Sequence, residues 1–438
     1  MQQNIISFNK PFFANFLLCL IPISFILGNL AINLNISLLI LFSFFIFFSN
    51  DYNYKLIFFD KLLLIFFIYI VLVAILNYVE IDQVHQNNKM IIKSIFYLRY
   101  LMLYFAIRFL FEYKLINLKI FFYVCSLCVI FVSLDLLYQF IFGKDIFGFE
   151  AASRRLGGPF GDELIAGSYL CRFSFFLIFL FFAFDIFKET NFKIKFPLFC
   201  FISVLISVGL IIAGNRVPFF IFIITTFLCL IFIKNLRRYL FTLIVIALSS
   251  LIILMNFNIE IKKHYGMFQT KVINSLKSFS DDKIVKYKDD KSLTPDEKNY
   301  TINFRRKSYS YSSVYLKEFY SGYKTWTENK FFGGGIKSFR YNCPKIFINC
   351  NTHPHNYYLE ILSDLGIIGL LMVLSFFTFL IIKSFYVKKI ILNPFLFLFI
   401  GEIFPLRTTG SFFTTSNAVF IFLLISFIIS ILNKKDLN

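Results

Sequence analysis

Apolar blocks and short polar turns alternate along the whole chain, broken once by the long polar stretch 258–357. The apolar blocks fall at 11–28, 31–49, 61–79, 94–111, 118–142, 164–186, 196–214, 217–233, 239–257, 358–382, 390–405 and 417–433. Each has the length, roughly 17–25 residues, at which an α-helix crosses a bilayer core. The first block lacks a small-residue cleavage site and a second follows at once, which predicts a retained helix rather than a signal peptide. The pattern predicts an all-α polytopic membrane protein of about 12 transmembrane helices. Residues 1–257 form an N-terminal bundle of about nine helices, 258–357 a large loop between helices 9 and 10, and 358–438 the C-terminal helices. No internal repeat and no separate soluble domain is evident.

Composition agrees with that reading. Hydrophobic residues make up 58% of 438, with 66 Phe, and mean hydropathy is +0.74. A soluble domain of this size lacks the polar surface to cover so much apolar material. The net charge of +19 would point to nucleic acid in a soluble protein, but here topology explains much of it. The turns on one side carry Lys10, Lys55, Lys61, Lys114, Lys119, Lys188, Lys193, Lys195, Lys234, Arg237, Arg238, Lys383, Lys388, Lys389, Lys434 and Lys435. The positive-inside rule puts that side, and both termini, in the cytoplasm. The 258–357 loop then lies outside, and loops longer than roughly 60 residues escape the charge rule. Within it, 277–300 is rich in Lys, Asp and Ser and reads as a disordered insertion. The part from 301 to 340, with its aromatics and Trp326, reads as short helices packed on the membrane face.

Where that loop gives way to the tenth helix stands His355-Asn356, followed after nine residues by Gly366 and then Gly369. At about 100° per residue, an unbroken helix would put Gly366 about 20° from His355 and Gly369 about 40° on the other side. Histidine and glycines would share one face, and the glycines would let a neighbouring helix pack beneath the histidine. An unperturbed imidazole pKa near 6.5 leaves His355 neutral near pH 7 and able to act as a base.

Outward-facing arginines are the other conspicuous group: Arg154, Arg155, Arg216, Arg305, Arg306, Arg340 and Arg407. Their planar, permanently charged forks suit phosphate oxygens, so a cluster at the outer lipid boundary would suit a lipid diphosphate. Each is also readable as a snorkelling anchor. Arg216, after Asn215 as a helix N-cap and before Pro218 in the first turn, favours the first reading. Arg99 and Arg172 are exceptions inside apolar blocks, near helix ends or facing the bundle interior.

Other features are bland. His85 and His264 have no patterned company and read as solvated loop residues. His353-Pro354-His355 lacks further ligands at metal spacing. Gly333-Gly334-Gly335 lacks the Lys-Ser/Thr of a phosphate loop and reads as a tight turn returning the loop to the membrane. Cys125 and Cys128 read as buried hydrophobes. Cys343 and Cys350, both in the outer loop, read as a local disulfide.

The combination resembles the O-antigen ligase and O-antigen polymerase superfamily over roughly 150–420. His355-Asn356-x9-Gly366-x2-Gly369 resembles its signature. Trp326, Phe331-Phe332-Gly333-Gly334-Gly335 and Phe339 resemble its pattern upstream of the histidine. Arg155 with Gly158-Pro159-Phe160-Gly161 and Tyr169-Leu170, and Gly214-Asn215-Arg216, look like two further elements. The chain departs at Tyr315, where the family has an arginine that Arg305 or Arg306 would replace, and at Asp162-Glu163-Leu164.

The resemblance implies a GT-C-like membrane glycosyltransferase of the bacterial inner membrane, its active site facing the periplasm, with no cofactor and no metal. The donor is a glycan on undecaprenyl diphosphate, and the acceptor is the lipid A–core or another lipid-linked glycan. His355 would be the catalytic base. Arg216, Arg155, Arg305, Arg306, Arg407 and Asn356 would bind diphosphate or substrate, with Gly333, Gly335, Gly366 and Gly369 structural. Ligase is the favoured reading and polymerase the alternative. A transporter of lipid-linked sugars is a remote third, since it predicts two similar halves and polar residues near mid-bilayer.

Overall fold

All twelve apolar blocks are helical in the computed structural model, which describes residues 9–49, 52, 54–80, 84–151, 155–184, 192–267, 286–288, 308–310, 314–347, 350–387, 389–407 and 410–434. The first nine are α1 (Lys10–Leu27), α2 (Asn29–Phe48), α3 (Phe58–Glu80), α4 (Val84–Glu112), α5 (Leu118–Phe142), α6 (Ala166–Ala183), α7 (Phe192–Ile212), α8 (Arg216–Phe232) and α9 (Arg237–Phe257). The 258–357 loop contributes a helix α10 (Val314–Glu328), and α11 (Tyr357–Phe385), α12 (Asn393–Glu402) and α13 (Thr415–Asn433) follow. Ten of these are long and apolar enough to cross a membrane, while α8 and the stretch Ile390–Glu402 are shorter. The protein is therefore a polytopic, mainly helical membrane protein.

Burial separates central helices from peripheral ones. In α6 and α13 83% of the most apolar stretch is inside the protein, against 17% in α9. α13 packs on α4, α12, α2 and α11, and α6 on α5, α7, α8 and α12, through a core dense in phenylalanine rings. Two arginines inside this apolar mass have partners that offset the cost of burying them. Arg108 of α4 is ion-paired with Asp60 of α3, which also accepts from Tyr104 at 2.5 Å and from the Ile57 amide at 2.7 Å. Arg99 donates to Tyr100 at 2.6 Å and to Thr415 of α13 at 3.3 Å.

The 258–357 loop differs from its reading in one respect. Most of 277–300 lies outside the described residues, but Lys286–Lys288 pairs antiparallel with Ser308–Ser310, a short strand pair the composition did not indicate. From 314 onward the expectation of short helices is met by α10 and the four-residue helix Phe339–Asn342. Cys343 and Cys350 are joined as a disulfide, and Cys125 and Cys128 are buried thiols.

The helical geometry expected at the histidine motif does not occur. α11 starts only at Tyr357, with Asn356 as its N-cap, and is broken at Gly366, where φ is 67° and ψ is −172°. His355 precedes the helix in a left-handed conformation (φ 53°). Counting 100° per residue from 355 to 369 therefore fails at both ends. What occupies the space at Gly366 is loop backbone rather than a helix. A Cβ there would stand 2.1 Å from the Phe331 carbonyl oxygen.

The break frees backbone groups that the loop satisfies. Lys330 and Phe331 carbonyls accept from Ile367 and Ile368 amides at 2.9 and 3.4 Å. Gly334 and Gly335 amides donate to the Ser363 and Asp364 carbonyls at 3.1 and 2.7 Å. Gly333 (φ 71°) must be glycine for the reciprocal reason, since its Cβ would meet Asp364 and Gly366 backbone at 2.5 Å. Gly369 does meet a helix: a Cβ there would lie 3.2 Å from Tyr69 of α3, whose hydroxyl donates to the Leu365 carbonyl at 2.7 Å.

Candidate active site

The first half of α11 is a polar post inside an apolar bundle. Asn356, Glu360 and Asp364 recur every four residues and so share a face. Asn356 accepts from the Tyr358 and Leu359 amides at 3.0 and 3.1 Å and donates to the Pro405 carbonyl at 2.7 Å. Glu360 accepts from Ser411 Oγ at 2.5 Å and the Phe412 amide at 2.6 Å. Asp364 accepts from the Lys337 and Phe339 amides and Ser338 Oγ at 2.6–3.0 Å. The post thus ties the 337–339 and 405–412 loops around one space. Asn356, expected among the substrate-binding residues, has its side-chain amide engaged in capping α11 and tethering Pro405.

That space is a cavity of about 860 Å³. It is lined by His355 together with Arg155, Arg216, Arg407, Arg172 and Lys337. The segments that line it come from the α1–α2, α5–α6, α7–α8 and α12–α13 turns and from the 258–357 loop. Alternation along the chain puts all of these at one end of the bundle, opposite the turns that carry Lys10, Lys114 and Lys234. Of the expected cationic residues, Arg155, Arg216 and Arg407 are brought together. Arg154, Arg305 and Arg306 lie outside the described residues, and Arg340 sits in the Phe339–Asn342 helix without lining the cavity.

Arg216 is held by two devices. Asn215 does stand at the N-cap of α8, but its side chain does not cap the helix. It accepts from the Gly167 amide at 3.1 Å and donates to the Leu164 carbonyl at 3.0 Å, docking the start of α8 against the loop that carries Arg155. The second device is His264, in the helical stretch 259–267, read from sequence as solvated but in fact 5% exposed. Its Nε2 lies 2.8 Å from the Gly214 carbonyl and 3.0 Å from Arg216 Nε, and its Nδ1 lies 3.1 Å from Arg216 Nη2. Nothing in the local pattern around His264 signals this, because the contact spans 48 residues.

Sequence reasoning also missed the partner of Arg407. Glu402, 2% exposed, accepts from Arg407 Nη1 at 2.6 Å, from Arg172 at 2.6 and 3.1 Å, and from Tyr357 at 2.9 Å. Two guanidiniums on one carboxylate leave a net positive charge, so Arg407 faces the cavity as part of a cluster. A lone acid near the end of an apolar block was the available signal.

Lys337 is a further cation absent from the sequence reading. It and His355 are two of the three non-glycine residues with positive φ among those described; strained backbone of this kind clusters at functional sites. Burial lowers the Lys337 ammonium below its ordinary range, and nearby Arg340 adds to the effect. Burial likewise holds His355 below 6.5, so its imidazole is neutral at pH 7. His353, whose ring lies 4.2 Å from that of His355, is lowered to about 4 by burial, with His355, Arg340 and Lys337 adding to it. Among the described residues no group of three or more His, Cys, Asp or Glu is placed to hold a metal ion.

A neutral imidazole and several fixed cations around one cavity can take a proton from a hydroxyl and hold a polyanion. Residues 201–374 match the O-antigen ligase family. The match spans Arg216, the 258–357 loop, His355, Gly366 and Gly369. No curated protein matches the chain.

Proposed function

We propose that this protein is an O-antigen ligase that transfers a glycan from undecaprenyl diphosphate to a lipid A–core hydroxyl on the periplasmic face of the inner membrane. One observation carries the reading: neutral His355 opens on the same cavity as Arg155, Arg216, Arg407 and Lys337. The Lys/Arg-bearing turns at the opposite end of the bundle support a cytoplasmic location for that end and for both termini.

In this reaction the acceptor oxygen attacks the anomeric carbon as the bond from that carbon to the diphosphate oxygen breaks. His355 accepts the hydroxyl proton. The electron pair leaves with undecaprenyl diphosphate, and Arg216, Arg155 and the Arg407 cluster stabilise the charge that grows on it. A diphosphate is a good leaving group, so no general acid is needed to protonate it. Left-handed His355, set between the disulfide loop and the capped start of α11, holds its ring where the backbone dictates.

The test is the lipopolysaccharide profile of a deletion strain complemented with wild type or His355→Ala. Ligase function predicts full-length lipid-linked polymer beside bare core in both the deletion and the variant. A single repeat on the core would assign polymerisation instead, and full restoration by a well-folded His355→Ala protein would remove the base assignment.

A further inference from the structure

The cavity contains a carboxylate that glycan transfer as described does not use. Glu318 of α10 is 3% exposed and lines the cavity beside His355. One turn later stands Gly322, where a Cβ would come within 2.9 Å of Pro354 and 3.1 Å of Leu359. That close approach seats this face of α10 directly on the segment that carries His355. Glu318 Oε1 accepts from Asn351 Nδ2 at 2.5 Å, while its buried Oε2 has no hydrogen-bond partner among the described residues. A buried acceptor left in this state is unfavourable unless something completes it.

Charge decides what that something is. Arg155, Arg216 and the Arg407 cluster suit a diphosphate; Glu318, hydrogen-bonded to a neutral amide and with no ion pair among the described residues, repels one. An uncharged polyol fits instead. Carboxylate oxygens accept from hydroxyls, and the Asn351 amide adds both a donor and an acceptor. Asn351 lies four residues before His355, so hydroxyls bound here would neighbour the one delivered to the imidazole.

We propose that Glu318 and Asn351 form a subsite that binds hydroxyls of the sugar acceptor beside His355. The subsite rests on the transfer reading above and supplies what that reading lacks, a group that selects the acceptor. No proton is transferred to Glu318; it accepts hydrogen bonds and orients the ring that bears the nucleophile. Burial, which raises its carboxyl above the usual range against the opposing pull of Lys317 and Asn351, leaves it a strong acceptor once a ligand excludes water.

The experiment uses the full-length protein in lipid nanodiscs. Transfer is measured from undecaprenyl-diphosphate-linked glycan to lipid A–core extracted from the deletion strain, or to a second lipid-linked glycan if that is the acceptor used, varying each substrate in turn. Glu318→Gln keeps the volume but removes the charge that strengthens the hydrogen bonds. The acceptor KM should rise roughly 10- to 100-fold, with donor KM and kcat little changed. Asn351→Ala, which leaves α10 untouched and carries the test if the first variant misfolds, should move the acceptor KM in the same direction by less. A rise in both KM values, in donor KM alone, a fall in kcat alone, or unchanged kinetics would overturn the subsite and leave the transfer reading standing. Absence of transfer by the unmodified protein to either acceptor would overturn that reading, and the subsite with it.

Discussion

Replacing Gly366 by alanine should be among the most damaging single methyl additions at the end of the bundle that holds the cavity. The φ, ψ pair of 67° and −172° lies in a region essentially reserved for glycine, at a cost of about 1–3 kcal/mol for another residue. The new Cβ would also sit 2.1 Å from the Phe331 carbonyl oxygen, so the loop must retreat. Retreat breaks the four backbone hydrogen bonds that join 330–335 to 363–368, each contributing about 0.5–1.5 kcal/mol net. Together these reach roughly 3–9 kcal/mol, comparable with the whole stability of an ordinary domain. Lys337 would leave the cavity with the loop. Gly148→Ala is the control: φ there is 91° but nothing lies within 4 Å, so only the left-handed cost of about 1–2 kcal/mol applies. Thermal unfolding of both purified variants in detergent, with transfer assayed alongside, separates the two effects. A Gly366→Ala protein as stable as wild type, or no worse than Gly148→Ala, refutes the clasp.

Four further outcomes are expected. Because burial holds His355 below 6.5, the acid limb of kcat/KM should fall below pH 6.5, with activity full above it; the same sign applies to stability, since a histidine buried neutral opposes folding once pH drops through its unfolded value. A limb centred above 6.5 in the pH–rate profile counts against His355. Arg216→Lys should lose at least roughly tenfold in transfer rate because the fork is lost, and His264→Ala should lose activity in the same direction while binding of the acceptor is retained. Asn356→Ala removes the cap of α11 and the tether to Pro405, and should lower stability by about 1–2 kcal/mol, read as an earlier unfolding transition.

The helices were legible in sequence because bilayer thickness imposes length on them; every apolar block became one. The broken helix at Gly366 was not, since glycine within an apolar run is ambiguous until the partner that fills its space is known, and that partner is a loop more than thirty residues upstream. His355 was found through its neighbours in sequence, whereas His264 escaped because its meaning lies in Gly214 and Arg216. Arg172 was noticed as an intramembrane charge, yet its partner Glu402 lies 230 residues away. Asn215 was placed correctly at the start of α8, but a fold-level contact with Gly167 took the side chain that local rules assign to capping.

Burial of α13 has a consequence for the order in which this site comes into being. α13 is among the two most enclosed helices, 83% of its apolar stretch covered, and it follows every other described helix in the chain. Its first residues, from Thr414 to Asn417, line the cavity, and Asn417 accepts from Arg172 at 2.5 Å. In synthesis order α13 therefore takes its slot between α4 and α12 after both of those helices exist. Arg172 reaches the membrane long before either Glu402 or Asn417 exists to receive it. Catalytic competence should consequently appear as a single late event; a chain stopped before Thr415 should leave the bundle inserted but inactive, and transfer by such a truncated protein would show that the slot is not needed.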